Sequence, residues 1–375
     1  MGFSIGWRGL RASLLCLVPA EPAGSRAAGA ARVGAGGPPS GGGTPQARAS
    51  ETSPLVPPPR RAHTRRRAAL ATLITAAVVL PLSAAARPEI PAPAPAHLPH
   101  LTVSTLDKAY AANRENAAEA SRMAAAHGDT HRATADRALA TPTHHLLHFD
   151  GRGAGQATEV FGDLAHADHI AVLVPGSDTS LDTYARFRAD ATALRRELNH
   201  TEPRTAVITW LGYKTPGTIS TTVTTTGRAD QAAPHLRQFI RQLRGIVGPT
   251  PTVSLLCHSY GSVVCARAAA HLDATDLVLL GSPGTGEDTA AALHTRARVW
   301  AGRGSDDWVA EVPHIKTDLF GTTVGFGTDP MSPSFGASRF AAGDGGHSDY
   351  FDPGSVSLTN LVRIVLDRAS EVTHA

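Results

Sequence analysis

The sequence is poor in lysine, aromatic residues and cysteine. Only Lys108, Lys214 and Lys316 occur in 375 residues, Phe, Trp and Tyr together make up 5%, and there are three Cys. Residues 1–86 hold ten Arg, no Lys and two acids, Glu21 and Glu51. The remainder has 25 basic and 30 acidic residues, so the formal charge of +3 belongs to the N-terminal part. A chain that is acidic beyond residue 87 offers no basic patch for nucleic acid. A phosphate-cradling glycine loop, a dinucleotide fingerprint and a metal-ligand cluster are all missing from the sequence, so no cofactor is expected. There is no internal repeat. A hydrophobic content of 42% suits one large domain with appendages.

Residues 1–59 form a low-complexity leader, rich in Gly, Pro, Ala and Ser over 20–58. Such a tract cannot bury enough apolar surface to offset its ordering entropy, and is expected to be disordered. Then come Arg60-Arg61 and Arg65-Arg66-Arg67, an apolar run from Ala68 to Leu82, and Ser83-Ala84-Ala85-Ala86. Basic, apolar and small-residue regions in that order read as a signal peptide over 60–86, cleaved after Ala86. The run contains Pro81 and is short against the roughly 20 residues of a membrane span. An uncleaved membrane tether through 68–82 is the alternative. Either way the domain is expected to be secreted or anchored on the outer face of the cell membrane. A signal peptide lies near a chain start, so translation is expected to begin nearer Val56. Residues 87–100 read as a Pro-rich linker. Residues 101–140 read as a helical hairpin broken at Gly128-Asp129 and carrying Leu106, Tyr110 and Met123.

Over 141–375 short apolar runs alternate with helix-like segments, the pattern of a mostly parallel sheet flanked by helices. Candidate strands are Leu146–Phe149, Glu159–Leu164, Ile170–Val174, Thr205–Trp210, Val253–Cys257, Asp276–Leu280 and Arg298–Ala301. Candidate helices are Leu181–Leu198, Gln231–Ile246, Gly261–His271, Thr289–Leu293 and Ser355–Arg368. In open sheets of this kind ligands bind beyond the carboxyl ends of the strands.

One such end carries Cys257-His258-Ser259-Tyr260-Gly261, a variant of G-x-S-x-G between strand and helix. That motif puts a serine on a tight turn above the sheet, and small residues two before and two after let strand and helix pass closely. Ser259 is therefore the candidate nucleophile, with His258 read as a packing residue. A serine alone is a poor nucleophile and needs a base and an orienting acid, here in the chain order Ser, Asp, His. Asp307 and Asp306 follow the strand at Arg298; Asp307, before the apolar Trp308-Val309, is the preferred acid and Asp306 the alternative. His347, after Gly345-Gly346 and before the last helix, is the candidate base, ahead of His314. The backbone N–H groups of Tyr260 and of Ser177, in the loop after Val174, are the candidate oxyanion hole. Trp210, Tyr213, Trp308 and Tyr350 are candidates for a substrate cleft or for the core.

These residues, with Leu147-His148-Phe149-Asp150, Trp210-Leu211-Gly212-Tyr213, Leu280-Gly281-Ser282-Pro283-Gly284 and Gly346-His347-Ser348-Asp349-Tyr350-Phe351, resemble an uncharacterised secreted α/β-hydrolase family of actinobacteria. The resemblance runs in order over about residues 100–370. It implies the α/β-hydrolase fold and a triad of Ser259, Asp307 and His347, and it implies no substrate. The family usually has Gly where Cys257 stands. Cys265 lies four residues beyond Gly261 on the same helix face. In an exported chain a Cys257–Cys265 disulfide bracing the turn is expected, against two small buried thiols. The leading functional reading is an esterase or lipase-like serine hydrolase acting through an acyl-enzyme on a small acyl ester. A peptidase or amidase with the same triad, and a non-catalytic envelope protein on the same fold, are the alternatives.

Overall fold

The computed structural model describes residues 90–218, 225–312, 317–319 and 322–375. The low-complexity leader, the signal-peptide or anchor segment and His314 lie outside the described residues. Among the described residues no helix is long and apolar enough to cross a membrane.

The chain enters through residues 90–100, which have no regular structure but pack Ala92 against the core. Two helices follow, α1 (Leu106–Ala126) and α2 (Thr130–Leu139), with Gly128 at φ 89° in the bend between them. The Asp129 side chain caps α2 by accepting from the Arg132 N–H, a contact worth about 1 kcal/mol. Asn113 and Arg114 of α1 donate to the carbonyls of Leu146 and His144, at 2.9 and 3.0 Å.

The sheet comprises β1 (His145–Asp150), β2 (Gln156–Gly162), β3 (His169–Val174), β4 (Thr205–Leu211), β5 (Thr252–His258), β6 (Asp276–Leu280), β7 (Arg298–Gly302) and β10 (Ser338–Arg339). Its order is β1-β2-β4-β3-β5-β6-β7-β10. The β1–β2 and β2–β4 pairs are antiparallel and all the others parallel. A separate antiparallel pair joins β8 (Thr317–Leu319) and β9 (Thr322–Val324). Between β1 and β10 the strands are sandwiched. Ile170, Val172 and Val174 face α4 (Gly227–Val247) and α5 (Tyr260–Ala268), while Ala171 and Leu173 face α3 (Tyr184–Thr201) and α6 (Val356–Val365). Burial on both faces explains the unbroken apolar runs of the central strands. The α6 stripe Leu358, Leu361, Ile364 and Val365 is almost wholly buried, each side chain contributing about 1.5–3 kcal/mol.

Several element bounds differ from expectation. The second strand is Gln156–Gly162 rather than Glu159–Leu164, because Gly155 (φ 78°) turns the chain into it and Gly162 (φ 99°) ends it. Leu164 lies in a short 3-10 turn capped by Asp163. The expected helix Thr289–Leu293 is one 3-10 turn, Ala291–Leu293, stopped by left-handed His294 (φ 50°). Helix α4 starts at Gly227, four residues before Gln231, where the Tyr260 hydroxyl accepts from the free Ala229 N–H.

Strand β3 lies between β4 and β5, so the chain switches direction across the sheet there. That switch opens a crevice beyond the carboxyl ends of β3 and β5, where Val174 and Cys257 are register partners.

Candidate active site

Ser259 caps α5 directly after β5, at φ 53° and ψ −125°. A non-glycine residue there carries roughly 1–3 kcal/mol of backbone strain. The turn is held from both sides: the Ser259 N–H donates to the Leu280 carbonyl at 2.8 Å, and the Ser262 hydroxyl to the Ser259 carbonyl at 2.5 Å. A Cβ at Gly261 would lie 2.5 Å from the Val174 carbonyl oxygen, and one at Gly176 2.6 Å from the Ser259 Cβ, so neither position accepts a side chain. Cys257 needs no such clearance, because its side chain turns toward α5. There it is joined to Cys265 by a disulfide with Cα atoms 6.4 Å apart, both residues fully buried.

The loop between β10 and α6 brings His347 to the serine. Its Nε2 stands 2.9 Å from Ser259 Oγ. Its Nδ1 stands 2.9 and 3.0 Å from the two carboxylate oxygens of Asp307, which follows β7. This pattern assigns Nδ1–H as donor to Asp307 and leaves Nε2 to accept the serine proton. Asp307 also accepts from the Val309 N–H at 2.8 Å and from the Tyr350 hydroxyl. Burial pushes the Asp307 carboxyl up, but the hydrogen bonds from His347, Tyr350 and Val309 together hold it below the usual carboxylate range. Asp306 is exposed, one residue away.

Three neighbours complete the surroundings. His258 donates from Nε2 to the His347 carbonyl at 2.7 Å, with ring centroids 4.7 Å apart. Burial, then the facing imidazole, push His258 down to about 4, so it is neutral at pH 7. The Trp308 ring, half exposed, lies 4.7 Å from the His347 ring. Gly281 (φ 51°) sits beneath the acid: a Cβ there would be 2.6 Å from Asp307 Oδ2 and 3.1 Å from His347 Nδ1. The place of Gly281 beneath the acid and the hydrogen bond from Tyr350, expected only in a cleft or in the core, were not legible in the sequence. The glycine's place in a strand-end turn was the one available signal.

Ser259 and His347 open into a cleft of about 490 Å³ whose apolar walls include Leu173, Phe187, Leu256, Trp308, Phe326 and Phe351. Ser177 and Tyr260 line it beside the serine. Trp308 and Tyr350 belong to it. Trp210 and Tyr213 do not; they stack on each other in the core, where the Tyr213 hydroxyl donates to the Pro175 carbonyl at 2.6 Å.

A family model described as "Alpha/beta hydrolase" matches residues 150–317. Uncharacterised proteins Rv2079 and MT2140, from two strains of Mycobacterium tuberculosis, are each 32% identical to this chain over 242 residues. The match takes in 56% of this chain, and the chain spans 37% of the length of those relatives. Among solved structures, a serine hydrolase without lid from Xanthomonas campestris is 17% identical with a TM-score of 0.35, covering 57% of this chain and 89% of that one. An alpha-beta serine hydrolase homologue from Coxiella burnetii is 12% identical with a TM-score of 0.34, covering 61% and 97%. The chain thus has the α/β-hydrolase fold, and its resemblance to an uncharacterised α/β-hydrolase family holds.

Proposed function

We propose that this protein is a serine hydrolase that cleaves carboxylic esters through an acyl-enzyme. The observation that carries this reading is the unbroken relay from Ser259 Oγ to His347 Nε2, and from His347 Nδ1 to Asp307, on a strained elbow. His347 takes the hydroxyl proton as Ser259 attacks the acyl carbonyl, and passes it to the leaving alcohol. A water then enters, gives a proton to His347 and releases the acid, returning the hydroxyl to Ser259. Asp307 keeps Nδ1 protonated throughout and balances the imidazolium.

The tetrahedral oxyanion takes two backbone donors, the N–H groups of Tyr260 and Ser177. Two placements support this choice. Tyr260 is the first residue of α5, where an N–H has no partner within the helix. Ser177 follows Gly176, whose missing side chain lets that loop touch Ser259. Export of the domain is supported by the buried Cys257–Cys265 disulfide, since such bonds persist in oxidising compartments.

The test is labelling of the purified domain with a fluorophosphonate, together with hydrolysis of a short para-nitrophenyl ester. Both are expected for the wild type and neither for Ser259→Ala. Equal labelling of the two proteins would refute the assignment.

A further inference from the structure

One wall of the cleft is a single face of α3. Thr183, the residue capping that helix, and Arg186, Phe187 and Asp190 follow at spacings of three, four and seven, and all four line the cleft. Phe187 is buried and belongs to the core on that side of the sheet, while Arg186 is exposed and Asp190 half-buried. Two neighbouring charged groups are paired. Arg188 reaches Glu159 at 3.2 Å, and Asp182, just before α3, holds the buried Arg132 at 2.8 Å. Asp190 differs: among the described residues its carboxyl makes no hydrogen bond or ion pair and feels Arg186 and Asp352 only at a distance. A carboxyl set in a largely apolar cleft without a partner is satisfied by whatever enters.

We propose that Asp190 is the specificity-determining residue of this cleft, selecting esters that carry a hydrogen-bond donor, a hydroxyl or an ammonium, over plain hydrocarbon esters. This rests on the serine-hydrolase reading of Ser259, because it names what part of that enzyme's substrate lies along α3. The donor meets the carboxyl while the scissile carbonyl sits at Ser259. A hydrocarbon end leaves the carboxyl buried and unpaired, which costs affinity and rate. The carboxyl is raised to about 7, by burial first, with Arg186 lowering it and Asp352 raising it. It can therefore accept from either donor near neutral pH, and an ammonium draws it into the ionised form.

The experiment uses para-nitrophenyl esters of three linear acids of equal length whose far ends are methyl, hydroxyl and ammonium. The wild type is expected to favour the hydroxyl and ammonium esters over the methyl ester by about tenfold or more in kcat/KM. Asp190→Leu is expected to erase or invert that ratio. Asp190→Asn keeps an acceptor oxygen without charge, and is expected to retain the hydroxyl preference and lose the ammonium preference. Fluorophosphonate labelling of Ser259 is run alongside on each protein. Labelled wild type with no donor preference, or a preference that survives Asp190→Leu, overturns the role of Asp190 and leaves the hydrolase reading standing. Loss of both labelling and ester hydrolysis in the wild type overturns both.

Discussion

Reducing the Cys257–Cys265 bond tests how the nucleophile turn is held. The bond joins residues eight apart, with Ser259 inside the loop it closes. On the chain-entropy view, closing a loop of that length removes about 2.5 kcal/mol of freedom from the unfolded chain. The strained backbone at Ser259 costs roughly 1–3 kcal/mol, so the cross-link is of the size needed to offset it. For a domain of this size a loss of about 2.5 kcal/mol lowers the unfolding temperature by roughly 5–10 °C. The assay is reversible urea unfolding and refolding with and without excess reductant, which leaves every side-chain volume in place. Intact mass after alkylation reports the state of the thiols. The expected outcome is a lower midpoint under reductant with an unchanged slope, because the surface exposed on unfolding barely alters. Two alkylatable thiols in the untreated native protein, or coincident midpoints, would refute the reasoning.

Two further outcomes follow from the carboxylates. Asp307→Asn is expected to slow ester hydrolysis by about 10⁴, because an amide cannot hold the His347 tautomer, whereas Asp306→Asn leaves steady-state rates unchanged. The opposite ranking would move the acid to Asp306. Asp136, on α2, is almost fully buried with one carboxyl oxygen unpaired, and burial raises it to about 7. A raised carboxyl favours the fold while protonated, and that benefit is lost as pH climbs from about 4 through 7. The loss is at most about 4 kcal/mol. Asp136→Asn is expected to flatten the fall in urea midpoint between pH 5 and 8, and parallel pH profiles for the two proteins would show that Asp136 does not titrate in this range.

Much of this architecture was legible in the sequence for a physical reason. Strand β6 is buried on both faces, so its residues Leu277, Val278, Leu279 and Leu280 form an uninterrupted apolar run after Asp276. Ser259, Asp307 and His347 each sit at a strand end or before a helix, where local pattern and chain order locate them. What was missed depends on contacts between distant segments. The Tyr350 hydroxyl meets a carboxylate 43 residues away, Gly281 matters only because Asp307 folds over it, and Asp190 is an ordinary helix residue until the cleft forms beside it. Two-residue β10 is too short for any periodicity. The helix expected at Thr289–Leu293 failed because alanines favour a helix without specifying its length, and left-handed His294 ends it after one turn.

The two hydrogen bonds from α1, one to β1 and one to the residue just before it, bear on the exposed edge of the sheet. An open sheet ends in strands whose free carbonyls and N–H groups invite a strand from another molecule. Here Asn113 and Arg114 already occupy the Leu146 and His144 carbonyls at one flank. At the other flank the last strand is two residues long, and the C-terminal residues close against it through the Phe340–His374 bridge. Both flanks of the sheet thus carry contacts from other parts of the chain. Residues 101–140 thus cover this flank of the sheet while packing Leu106, Tyr110, Ala117, Ala120 and Leu139 into the core, so the segment that shields the edge is also part of the fold it protects.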